Sequence, residues 1–91
     1  MPEQNNVKVY VQVTTVFDEE GKMMPTDIVW EDGTTYHIQK ITDVRMAAAR
    51  RAGGLGLRYT VIVQGRESYL FYDRVENPRN MYVGRWFVER K

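Results

Sequence analysis

The segment Arg50-Arg51-Ala52-Gly53-Gly54-Leu55-Gly56-Leu57-Arg58 holds the most unusual chemistry in the chain, with glycine at three of four successive positions and arginine on both sides. Glycine lets a backbone turn tightly and present its N–H groups, and such a nest walled by guanidinium groups suits a phosphate. The segment lacks the lysine and spacing of a P-loop, and it precedes a strand where a dinucleotide fingerprint would follow one. Its first reading is therefore a helix C-cap with a flexible connection, and an anion site built on Gly53, Gly54 and Gly56 is the second. Arg50, Arg58, Arg66 and Arg79 are the candidate cations of an external anion surface.

The residue set for catalysis is thin. His37 is the only histidine and there is no cysteine, so paired histidines, a multi-histidine metal site and a thiolate nucleophile are all excluded. Serine occurs once, at Ser68, outside any Gly-x-Ser-x-Gly or Ser-x-x-Lys pattern. Asp18, Glu19, Glu20, Glu31 and Asp32 fall at expected turn tips, where solvation works against the separated pKa values that catalytic carboxyl pairs need. No enzyme activity, cofactor or metal site is expected, and His37 reads as a surface side chain.

Net charge is +1, but its distribution is uneven. Residues 1 to 40 carry seven acids against three lysines, whereas residues 41 to 91 carry five acids against nine arginines and Lys91. Mutual pairing of the two halves is the first explanation, and an anion-binding surface the second. The eleven aromatic residues exceed the interior space of a small domain. Tyr69, Phe71, Tyr72, Trp86 and Phe87 occupy both faces of their strands and are candidates for a protein interface, while aromatics beside arginines also suit single-stranded nucleic acid.

These side chains need elements to hold them. In Val7-Lys8-Val9-Tyr10-Val11-Gln12-Val13-Thr14 valine recurs at every second position, which predicts a half-buried strand running on to Phe17. Asp18 to Lys22 reads as a solvated turn. Asp27 to Ile38 reads as a hairpin with a type I′ turn at Asp32-Gly33, pairing Ile28 and Trp30 with Tyr36 and Ile38. Asp43 to Ala52, rich in alanine and ending at Gly53-Gly54, predicts a short helix or, failing that, an ordered loop. Leu57 to Val63 and Ser68 to Tyr72 read as strands joined by a type II′ turn at Gly65-Arg66. Glu76 to Asn80 reads as a loop, and Tyr82 to Glu89 as a last strand with a bulge at Gly84.

The pattern predicts a mainly β fold, an SH3-like or Sm-like barrel of five or six antiparallel strands with one short helix, or alternatively an α+β sheet with one helix. Residues 1–6 read as a flexible N-terminus and 7–91 as one domain. Absence of cysteine and of any long apolar run points to the cytoplasm and away from membranes.

Trp30-Glu31-Asp32-Gly33-Thr34-Thr35-Tyr36-His37-Ile38, with Gly56-Leu57-Arg58-Tyr59 and Trp86-Phe87-Val88, resembles a pattern in small uncharacterised bacterial barrel proteins, some encoded near Y-family DNA polymerases. The resemblance implies an accessory role around DNA repair or replication and supplies no catalytic residues. The expectation is a non-enzymatic binding module that contacts nucleic acid, or a DNA-repair or replication protein, through Arg50, Arg58 and nearby arginines. The alternative is a protein-interaction or homodimerisation module using its aromatic surface.

Overall fold

The computed structural model describes residues 8–49 and 53–89. They form seven strands: β1 (Lys8–Phe17), β2 (Met23–Val29), β3 (Thr35–His37), β4 (Lys40–Ala49), β5 (Gly53–Val63), β6 (Arg66–Arg79) and β7 (Tyr82–Glu89). All pair antiparallel in one sheet of order β3-β2-β1-β7-β6-β5-β4, curled into a half-barrel. The expected N-terminal segment, Arg50 and Arg51 lie outside the described residues.

β1 makes the curl possible because its two halves serve different neighbours. Lys8 to Val11 pair with β7, and Gln12 to Phe17 pair with β2. The alternating valines behave as their spacing predicts: Val9 is buried, and Val11 and Val13 pack against the core. That core is lined by Ile28, Ile38, Tyr59, Val61, Leu70 and Trp86, with Val61 and Leu70 at 0% exposure. Three hydrogen bonds draw the far ends of the sheet together around it. Ile38 N–H donates to the Thr26 carbonyl at 2.8 Å, Gln39 N–H to the Ile62 carbonyl at 2.8 Å, and the Tyr59 hydroxyl to the Met23 carbonyl at 2.7 Å.

No helix is present among the described residues, and none is long and apolar enough to cross a membrane. Where a helix was expected from Asp43 to Ala52, Asp43 to Ala49 are instead part of β4 and residues 50–52 lie outside the described residues; the strand count among the described residues is seven rather than five or six. Helix preference of alanine over other residues is worth only about 0.5 kcal/mol per position, and so short a helix is marginal by itself. Pairing of β4 with β5, from Lys40 opposite Ile62 to Ala49 opposite Gly53 with irregularities after Ile41 and after Ala48, outweighs it. A bulge at Thr42 sets the phase, so that Asp43, Arg45 and Ala47 share one face and Val44, Met46 and Ala48 the other.

The turns follow the same residues with altered geometry. Asp18 Oδ1 accepts the N–H groups of Glu20 and Lys22, both at 2.9 Å, with Gly21 at φ 87°. At Asp32-Gly33 only Gly33 has positive φ, and Trp30 N–H bonds the Thr34 carbonyl at 2.8 Å. This is a three-residue loop rather than a type I′ turn, with the Asp32 carboxylate accepting Thr34 N–H at 2.9 Å. The next hairpin turns on Gln64-Gly65, both at positive φ, one residue before the expected position. Glu76 to Arg79 continue β6 instead of forming a loop; pairing skips from Arg74 opposite Gly84 to Arg79 opposite Tyr82, which leaves Pro78 in an irregular stretch.

Candidate nucleic-acid interface

Directly opposed residues in an antiparallel sheet share a face. Tyr10 opposes Phe87, Phe87 opposes Phe71, Phe71 opposes Arg58 and Arg58 opposes Arg45, so five strands contribute one row across the outer surface. At about 4.8 Å per strand the row spans roughly 19 Å. Its middle is a stacked pair, Phe71 and Phe87, with centroids 5.0 Å apart and rings 9° from parallel. Both rings are buried although they face away from the main core. Tyr10 meets Phe87 edge-on at 5.9 Å, and Lys8 Nζ lies 4.7 Å from the Phe87 centroid.

An arginine lies on an exposed tyrosine at each side of this pair. The Arg85 guanidinium is 3.4 Å from the Tyr10 centroid, and the Arg58 guanidinium is 4.4 Å from that of Tyr69. Tyr10 and Tyr69 are 40% and 43% exposed. Asp73 bonds Lys8 at 3.3 Å and Asp43 bonds Arg45 at 2.7 Å, a bond that raises the Arg45 pKa still further. Neither Arg58 nor Arg85 has a carboxylate partner among the described residues, and the buried Arg58 Nε has no acceptor. Among the described residues only Arg45 of the six arginines is ion-paired, while Lys8 and Asp73 form an ion pair between the two halves of the chain.

The remaining candidates are dispersed. Arg66 and Arg79 are exposed at opposite ends of β6 and do not converge with Arg58. Gly53, Gly54 and Gly56 belong to β5, and a Cβ at Gly56 would stand 2.8 Å from the Tyr72 carbonyl oxygen, so this glycine serves close strand approach. Tyr69, Phe71 and Phe87 lie on the outer face; Tyr72 and Trp86 point inward, 4.9 Å apart, with Trp86 5.2 Å from Tyr59. Arg50 lies outside the described residues.

Three members of the site escaped sequence reasoning: Lys8, Tyr10 and Arg85. The signal available was alternation, which puts Lys8 and Tyr10 on the side of β1 opposite the valines. Their meeting with Arg85 and Phe87 depends on β1 pairing with β7, across most of the chain. A cleft of about 360 Å³ opens beside Tyr10 and Arg85, where β1 parts from β7 beyond Val11 and Trp86.

His37 is exposed and remote from the row, with Nδ1 3.1 Å from Asp27 Oδ1. The Thr26 hydroxyl, donating at 2.8 Å, and then His37 hold the Asp27 carboxyl below its ordinary pKa of 3.8. Among the described residues no three His, Cys, Asp or Glu side chains form a metal-binding group. Comparison with known proteins finds no family model, curated protein or solved structure that matches this chain.

Proposed function

We propose that this protein is a non-enzymatic binding module for single-stranded nucleic acid, which it holds on the outer face of β5, β6, β7 and β1. The observation that carries the reading is the pair Arg58 and Arg85, without a carboxylate partner among the described residues and each laid on an exposed tyrosine at one side of the Phe71–Phe87 stack. Tyrosine rings offer π-faces to any base, and the arginines beside them offer charge to phosphates. A sheet face with no projecting helix suits unstacked bases better than a duplex groove. We take the half-barrel to be of the SH3-like or Sm-like kind, because a single strand, β1, is shared between its two parts. An accessory role around DNA repair or replication in the cytoplasm accords with the resemblance noted above.

The test is fluorescence anisotropy of a labelled single-stranded oligonucleotide titrated with protein at several salt concentrations. With Arg58 and Arg85 as the two phosphate contacts, log K should fall against log salt with a slope of about −1.4, each arginine contributing about −0.7. Arg58→Ala and Arg85→Ala should each remove about half of that slope. Absence of binding at low salt, or a slope untouched by both substitutions, would sink the proposal and leave a protein partner for the aromatic surface.

A further inference from the structure

Among the described residues the sheet ends on β4, which pairs with β5 alone, whereas the opposite edge, β3, has only three residues. A long edge strand presents a row of backbone N–H and C=O groups to any chain that can pair with it, and proteins commonly shield such edges. Here Val44 and Met46 stand 46% and 59% exposed on one face of β4. The other face carries Lys40 before the bulge and, beyond it, one charge of each sign two residues apart, Asp43 and Arg45.

We infer that β4 is a homodimerisation edge, pairing antiparallel with β4 of a second copy about a two-fold axis through Val44. A two-fold axis opposes residues equally spaced on either side of it. Through Val44, it sets Asp43 against the partner's Arg45 and Arg45 against the partner's Asp43. An axis through Asp43 or through Arg45 would set like charges together, and one through Met46 would set both against alanines. Along the regular run from Asp43 to Ala48, only the Val44 axis sets opposite charges together. Val44 then meets the partner's Val44, and Met46 meets the partner's Thr42. The intrachain Asp43–Arg45 bond of 2.7 Å becomes part of a four-membered ring of alternating charge. Because the bulge at Thr42 interrupts regular pairing on each side of the axis, the interface is short and depends on those charges. The inference stands on β4 alone and does not require nucleic acid.

Sedimentation velocity of the full chain, with near-ultraviolet circular dichroism as the control for folding, tests it directly. The wild type should dimerise as its concentration is raised to about 1 mM. Asp43→Arg and Arg45→Asp should each weaken self-association by about tenfold or more, because each opposes like charges twice. A mixture of these two variants should form heterodimers, and the double variant carrying both changes should dimerise like the wild type. A wild type that stays monomeric across that range, or a dimer indifferent to both single reversals, would overturn the inference.

Discussion

The Tyr59 hydroxyl reaches across the interior to the Met23 carbonyl, 2.7 Å away, and so ties β5 to the start of β2. Burial, and then the neighbouring Tyr72, raise the Tyr59 pKa above its ordinary 10.0. A raised pKa means that the fold favours the protonated hydroxyl. Its stabilising contribution is whole below pH 10 and is lost as pH rises from there through the folded-state value. Tyr59→Phe should lower stability at neutral pH by about 1 kcal/mol and flatten the alkaline decline in the urea midpoint. An alkaline limb unchanged in the variant would show that another group governs it.

Tyr72 occupies the space that a side chain at Gly84 would need. A Cβ there would collide with the Tyr72 Oη and stand 2.5 Å from its Cζ, with the Asp73 carbonyl oxygen 2.9 Å away. Gly84→Ala should destabilise the fold by about 1–3 kcal/mol through overpacking. In the Tyr72→Ala background the same change should cost less, since the ring is gone. Equilibrium unfolding of the four proteins measures this coupling, and strict additivity would remove the steric account.

Binding should separate the rings of the outer face from the arginine at the tip of the β5–β6 hairpin. Tyr10→Ala and Tyr69→Ala should each weaken single-stranded oligonucleotide binding by about 1–3 kcal/mol, the worth of one stacked base. Arg66→Ala, well away from the row, should leave affinity within about twofold, the range of a solvated surface charge. Equal losses at all three positions would point to diffuse electrostatic attraction instead of a stacking platform.

The conformation of the alanine segment has its own readout. Ala48 is exposed on β4, so Ala48→Val should raise stability by a few tenths of a kcal/mol, up to about 0.5, because β-branched residues favour strands. In a helix the same change would lower stability by a similar amount. The sign of the shift in thermal midpoint decides between the two conformations.

Local pattern alone determined much of this protein. Alternating valines identify the buried face of β1, Asp18 and Gly21 mark the first turn, and Ile28 with Ile38 announces a core wall that the structure buries. Each of these depends on neighbours in sequence or on a period of two, which no distant partner has to supply. Tertiary pairing decided the rest. Met46-Ala47-Ala48-Ala49 favours a helix by small per-residue margins, and the ladder with β5 overrides them. The row from Tyr10 through Phe87 and Phe71 to Arg58 joins strands far apart in the chain, and a register slip of one residue would turn each strand's side chains to the opposite face. Whether an arginine meets a carboxylate or a tyrosine ring is set by that register, which only the folded sheet supplies.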